Sequence, residues 1–291
     1  MNFRSVEKHA CLAALLLAVA ALSALPIPAF AQNWESLPVN PRVDIEYVKP
    51  TDDRFTIVYE ELKNRKILEE LQHFLSPLHL PYRLRVRAKQ CDMVNAFYSP
   101  GDRSLNLCYE LVEEVIKKAP EKVSPDGFVT RESAIAGTLV GILLHEGGHM
   151  LFDLLDVPVF GREEDAADEM ASFISLQFNK SVARTIVRGW IWFFAESKDP
   201  VAGAPMAAWS DEHGTASQRM YNALCLGYGG DPETFADFVA KGYLPKKRAD
   251  HCVAEYALVR NAFVKTVLPF VDTELVKKVQ QAEWMSPAEL Q

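Results

Sequence analysis

An apolar run at residues 133–155 carries the side chains that most constrain what this chain can fold into. Read as a helix, the run places His145 and His149 four residues apart and therefore on one face. Two imidazoles arranged in this way can bind one metal ion. Glu146 is rotated about 100° from His145 and can face a water molecule on that ion. The run therefore predicts a helix that carries a metal site.

A group of carboxylates follows this helix after a short turn that contains Pro158 and Gly161. If the next helix runs antiparallel to the first, its first turn lies beside the two histidines. Glu164 and Asp168 are four residues apart and share a face. We predict Glu164 as the third metal ligand, which leaves one position open for water. Asp168 would accept the second ring proton of a liganding histidine.

Two alternatives remain open for these residues. The carboxylates after the turn are also typical of a solvated helix start, where they favour the helix macrodipole. Gly147 and Gly148 would each cost about 1 kcal/mol in a helix interior. That cost is easier to explain if another backbone or a substrate approaches closely than in a plain core helix.

The first residues have the composition of a secretory signal. Arg4 and Lys8 precede an apolar segment of about 15 residues, which is short for a membrane span. Ala29-Phe30-Ala31 then fits a small-x-small cleavage site. We predict a signal peptide at residues 1–31, with a retained anchor as the alternative. The protein would then be secreted or periplasmic, with no stable membrane anchor after cleavage.

The net charge limits the possible binding partners, and the cysteine content indicates the cellular compartment. Without residues 1–31 the chain keeps 29 basic and 38 acidic residues, a net charge of about −9, which argues against nucleic acid or an anionic membrane as a partner. Four cysteines remain, an even number that suggests two disulfides in an exported protein. Three pairings are possible. We expect the local ones, Cys91–Cys108 and Cys225–Cys252, because each pair brackets a predicted hairpin or helical pair.

The order of predicted elements is that of an α+β protein. A polar, Pro-rich stretch at 32–53 is typical of a linker or an edge strand, with a possible strand at Val43–Val48. Phe55–Tyr59 is β-branched and aromatic, which predicts a strand, and 60–75 has helical spacing. A second strand at 82–88 and a hairpin at 95–108 follow, and this small sheet would lie beside the metal helix. Beyond residue 162 the chain is predicted to be helical, apart from a long loop at 197–210.

A strand of the hairpin is a candidate for substrate binding. The strand consists of Asn95, Ala96, Phe97 and Tyr98, and an extended peptide could dock on it through main-chain hydrogen bonds. An ordinary hairpin closed by a disulfide is the equally weighted alternative.

These motifs together resemble a known class of enzymes. His145-Glu-Gly-Gly-His149 with Glu164 and Asp168 is similar to the gluzincin pattern, H-E-x-x-H followed by E-x-x-x-D. The chain resembles more closely a poorly characterised bacterial family of metallopeptidases, and the matching pieces also include 95–98, 107–111, 211–213 and 218–225. The resemblance implies a zinc ion, a zincin-like fold for residues 54–291 as a single metallopeptidase domain, and hydrolysis of peptide bonds.

The resemblance also implies roles for further residues. Glu146 would take a proton from a zinc-bound water and pass it to the leaving amine. Gluzincins supply a Tyr or His beyond the third ligand to stabilise the oxyanion; His213 is the first candidate here and Tyr221 the second. A surface histidine and a core tyrosine are the alternatives. The substrate would be a peptide or protein. The alternative function is an exported zinc-binding protein without peptidase activity, which acts as a binding or scaffolding module.

Overall fold

The computed structural model describes residues 32–124, 127–206 and 209–284. It contains a four-stranded sheet and helices that lie between and after the strands of that sheet. The predicted signal peptide, 1–31, lies outside the described residues. The strands are β1 (Gln32–Asn33), β2 (Val43–Tyr47), β3 (Leu84–Lys89), β4 (Ala96–Ser99), β5 (Ser104–Cys108) and β6 (Ala282–Glu283). The described helices are α1 (Thr56–Asn64), α2 (Ile67–Phe74), α3 (Tyr109–Lys118), α4 (Arg131–Leu154), α5 (Glu163–Ser175), α6 (Lys180–Glu196), α7 (Ala216–Gly230), α8 (Ala236–Ala240), α9 (Lys246–Thr266) and α10 (Thr273–Gln281). The predicted α+β class is confirmed.

The sheet is mixed, with the order β2-β3-β5-β4. Strands β2 and β3 are parallel, and helices α1 and α2 form the crossover between them. Strands β3 and β5 are also parallel. Only β4 and β5 are antiparallel among these pairs, and they form the predicted hairpin. All five residues of β5 are buried, so the centre of the sheet lies in the core and β4 remains at its edge.

The prediction of a strand at Phe55–Tyr59 is wrong. Thr56 begins helix α1, and Phe55, Val58 and Leu62 are buried in the core. These spacings of three and four residues are helical, so packing of one helix face outweighs the strand preference of β-branched and aromatic residues. The helix predicted for 60–75 is also divided, because Lys66 adopts a left-handed conformation with φ of 54° between α1 and α2.

Helix α4 is the central element. Thr130 caps it by accepting a hydrogen bond from the Ser133 amide, while Ser133 accepts one from the Thr130 amide, so the two residues form a capping box. The helix packs against α5, α6 and the β4–β5 hairpin. Its length and hydropathy would suit a membrane span, but 72% of that apolar window is buried inside the protein, as expected of a core helix.

Both predicted cysteine pairs are disulfides in the structure. Cys91 and Cys108 join the segment before β4 to the end of β5. Cys225 and Cys252 join α7 to α9. The two bonds therefore stabilise the edge hairpin and the helical C-terminal part separately, and they agree with an extracellular or periplasmic location.

Candidate metal centre

Helix α4 presents its two histidines toward one point. His145 is 4% exposed, and its Nε2 atom lies 3.3 Å from Nε2 of His149, one helical turn later. Two imidazole nitrogens that face each other at this distance repel each other unless a proton or a cation lies between them. The helical spacing predicted from the sequence therefore produces a pair of convergent donors.

Glu164, in the first turn of α5, completes the group. Its Oε2 atom lies 3.0 Å from His145 Nε2 and 3.4 Å from His149 Nε2. One donor atom from each of the three residues lies within 4.8 Å of the other two. Two imidazole nitrogens and one carboxylate oxygen are a donor set found in zinc sites of hydrolases, so the residues fit a divalent metal ion.

Carboxylates lie at the other nitrogen of each ring. His149 Nδ1 lies 2.7 Å from Oε1 of Glu163, and His145 Nδ1 lies 2.8 Å from Oδ1 of Asp168. The Asp168 contact is short but out of line for a linear hydrogen bond. A carboxylate at Nδ1 favours the tautomer that leaves the Nε2 lone pair free for a metal ion.

Asp168 is itself held by an arginine. Arg219 of α7 donates two hydrogen bonds to its carboxylate, from Nε at 2.6 Å and from the terminal Nη2 at 2.7 Å. The guanidinium lies over the rings of Trp190 and Phe194, which are both buried. This bidentate pair neutralises a buried carboxylate and limits its rotation.

The charges of the cluster shift its protonation equilibria. Burial opposes ionisation of Glu164, but hydrogen bonds from His145, His149 and His213 hold the pKa of its carboxyl well below the usual range. Burial also disfavours a charged His145, yet the nearby carboxylates of Asp168 and Glu164 raise its pKa to about 9. Positive charge is therefore favoured at this point, which is what a cation site requires.

Glu146 lies beside the cluster and is 8% exposed. Its Oε2 atom accepts a hydrogen bond of 2.8 Å from the main-chain N–H of Tyr98, on strand β4. Burial raises the pKa of the Glu146 carboxyl, while the two histidines and the Tyr98 amide oppose the increase. A carboxylate with a raised pKa is suited to accept a proton and give it back.

The two candidate oxyanion donors differ in position. His213 lies at the cluster, with Nε2 2.8 Å from Glu164 Oε2 and Nδ1 2.9 Å from Asp211. Tyr221 is 38% exposed and lines a surface pocket of about 510 Å³ with Arg162 and Gln218. Within the described residues Tyr221 makes no hydrogen bond to the cluster, so the geometry favours His213 and both roles stay predictions.

The adjacent glycines Gly147 and Gly148 of α4 have different surroundings. A Cβ atom at Gly148 would lie 3.0 Å from the backbone of Ala167, so this glycine lets α5 approach the histidines closely. A Cβ atom at Gly147 would meet nothing within 4 Å. The expectation of a close backbone approach therefore holds for Gly148.

Several contacts of the site were absent from the sequence predictions. They are the Glu163 contact to His149, the Arg219 pair with Asp168, and the Tyr98 amide bond to Glu146. Glu163 is adjacent to the predicted ligand Glu164, and this position is a signal from which its contact with a liganding histidine could be predicted. Arg219 is 51 residues from Asp168, and nothing in its local sequence distinguishes it from a surface arginine.

Comparison with known proteins agrees with this geometry. No curated protein and no solved structure matches the chain. A family model described as "Putative metallopeptidase" matches residues 47–267, a range that includes β3 to β5 and the helices from α1 to α9. The chain belongs to this metallopeptidase family.

Proposed function

We propose that the protein is an exported zinc metallopeptidase in which His145, His149 and Glu164 hold the metal ion and Glu146 is the general base. The convergence of these three donors beside Glu146 is the observation that carries the proposal. Family membership supports a peptidase, and the two histidines with one carboxylate favour zinc. The disulfides and the predicted signal peptide support export.

Each residue has a defined task in peptide hydrolysis. A zinc ion, when bound, polarises the scissile carbonyl and makes a water molecule more acidic. Glu146 accepts the proton of that water through its carboxylate and later donates it to the leaving amine. The second ring nitrogen of His149 is hydrogen-bonded to Glu163, and that of His145 faces the carboxylate of Asp168 at 2.8 Å, so both carboxylates favour a constant orientation of the imidazoles.

His213 is assigned to the oxyanion. Its Nδ1 atom lies at the Asp211 carboxylate, and its Nε2 atom faces the ligand carboxylate of Glu164. The hydrogen bond that His213 donates to the Glu164 carboxylate raises the pKa of the His213 imidazole. A protonated ring that turns its Nε2–H from Glu164 to the substrate can donate a hydrogen bond to the negative charge that develops on the substrate carbonyl.

Strand β4 is assigned to the substrate. In its antiparallel pairing with β5, alternate residues direct their main-chain groups toward β5, and Tyr98 directs its N–H away from β5 to Glu146. Ala96 shares the outward direction of Tyr98. An extended peptide can therefore pair with the main-chain groups of Ala96 and with the Tyr98 carbonyl.

The test compares the purified protein with its Glu146→Gln variant on casein and a peptide panel, with metal content measured in both. We expect the wild type to cleave and a chelator to abolish cleavage. Glu146→Gln should keep its metal ion and lose activity by about 10²-fold or more. A variant that retains zinc and cleaves as fast as the wild type would show that Glu146 is not the base. Failure of the zinc-loaded wild type to cleave any substrate would favour the binding-module alternative.

A further inference from the structure

Tyr98 contacts helix α4 at two points. Its main-chain N–H donates a hydrogen bond to Glu146 Oε2 at 2.8 Å, and its phenolic O–H donates one to Asp153 Oδ2 at 2.7 Å. Glu146 and Asp153 are seven residues apart, so they share one face and are separated by about 10.5 Å along the axis. One residue of the strand therefore spans two turns of the helix.

The two contacts differ in their surroundings. The Glu146 carboxylate is buried, whereas Asp153 lies at the exposed end of α4. Tyr98 is half-buried and packs its ring against the core, and burial with the Asp153 hydrogen bond raises the pKa of its phenol far above the ordinary value. The phenol therefore remains a donor to Asp153 at all ordinary pH values.

Strand β4 needs such an attachment because it is a short edge strand. It has four residues, and its only strand partner in the described sheet is β5. The disulfide between Cys91 and Cys108 ties the start of the hairpin to the end of β5, but it does not attach β4 to α4. Among the described residues, Tyr98 makes both of the hydrogen bonds that join this strand to side chains of the helix.

We propose that Tyr98 is a positioning residue for Glu146: Asp153 anchors its side chain, and its amide thereby holds one oxygen of the Glu146 carboxylate. The other oxygen then faces the proton of the attacking water in a fixed orientation. Tyr98 itself touches no reacting atom. The catalytic part of this inference rests on the proposed peptidase function, whereas the amide contact does not.

The first measurement is the rate of amide hydrogen exchange at Tyr98, which NMR monitors in the purified protein. We expect protection in the wild type and in Glu146→Gln, which keeps an acceptor oxygen. Exchange should become at least about tenfold faster in Glu146→Ala, Tyr98→Phe and Asp153→Ala. Equal exchange rates in the wild type and Glu146→Ala would overturn the proposal, whether or not the protein cleaves peptides.

The second measurement separates positioning from a purely structural role. Tyr98→Phe and Asp153→Ala should each lower kcat about tenfold, with KM within about twofold and with unchanged metal content. The double variant should lose no more than either single variant, because both remove the same anchor. Asp153→Asn, which keeps an acceptor, should restore kcat.

Tyr59→Phe is the matched control, since it removes a tyrosine hydroxyl on α1, away from the cluster. Its kcat should equal that of the wild type. Wild-type kcat in Tyr98→Phe, or additive losses in the double variant, would contradict the positioning role. A wild type that cleaves nothing would refute the proposed peptidase function, and the exchange rates would still decide the contact.

Discussion

Arg219 and Asp168 form a bidentate ion pair, with donor–acceptor distances of 2.6 and 2.7 Å, behind the ring of His145. The pair connects helix α7 to the candidate metal centre, although in the described structure Arg219 makes no hydrogen bond or ion pair to the three candidate ligands. Its role is to keep Asp168 ionised and oriented. This relationship gives the first prediction.

Arg219→Ala should weaken metal binding about 10- to 100-fold, because a freed Asp168 no longer fixes the orientation of the His145 ring. Competition with a chromophoric chelator measures the affinity. Arg260→Ala, on the exposed surface of α9, is the matched control and should bind the metal ion as the wild type does. Equal affinities in the two variants would show that the ion pair does not support the site.

Gly147 and Gly148 offer a test with adjacent residues on one helix. Gly147→Ala should stabilise the protein by up to about 1 kcal/mol, because alanine favours a helix interior and nothing lies within 4 Å of its Cβ position. Gly148→Ala should destabilise it by about 1–3 kcal/mol, because α5 must move away from its backbone contact at Ala167. Denaturant unfolding measures both. A reversed order would contradict the close packing of α4 and α5.

Removing the Cys225–Cys252 disulfide should lower the free energy of unfolding by about 3 kcal/mol, since the bond closes a loop with a sequence separation of 27 residues. The Cys225→Ala/Cys252→Ala variant should melt about 10 °C lower. It should still bind the metal ion, because neither cysteine contacts the cluster in the described structure. Loss of metal binding in a variant that remains folded would contradict this separation.

Asp237 predicts a pH dependence of stability outside the site. Burial opposes its ionisation, but hydrogen bonds and charges from Arg184 and Arg188 hold the pKa of its carboxyl below the usual value. Because the pKa is lower in the folded state, ionisation stabilises the fold above the unfolded pKa of about 3.9. This stabilisation is lost as the pH falls through the folded-state pKa.

Asp237→Asn should therefore cost about 2 kcal/mol at pH 7 and progressively less as the pH falls below about 4. Melting curves of the variant and the wild type across this range measure the difference. Asp250→Asn, on the exposed side of α9, serves as the control. A loss at pH 3 as large as that at pH 7 would contradict the sign of the shift.

Local signals in the sequence predicted helix α4, the β4–β5 hairpin and both cysteine pairs. Helical spacing places His145 and His149 side by side, and the short turn between α4 and α5 places Glu164 next to them. These features depend on residues close in sequence, so period and turn chemistry suffice.

The features that could not be predicted from the sequence depend on packing between residues that are distant in the chain. Whether Phe55–Tyr59 forms a strand or a helix depends on the core that receives Val58 and Leu62. The parallel pairing of β2 with β3 depends on a crossover, and the Tyr98 contact to Glu146 depends on how the hairpin lies against α4. Contacts of this kind leave no periodic pattern in the chain.

The most direct measurement is the metal content per chain of the wild type, Glu164→Gln and Glu163→Gln, determined by mass spectrometry after dialysis against dilute zinc. Glu164 is the candidate ligand, whereas its neighbour Glu163 contacts the outer nitrogen of His149 in the described structure. We predict one metal ion per wild-type chain and an affinity lower by more than about 100-fold in Glu164→Gln. Glu163→Gln should still bind one ion, with an affinity loss of about tenfold. Full zinc occupancy in Glu164→Gln would contradict a metal centre formed by His145, His149 and Glu164.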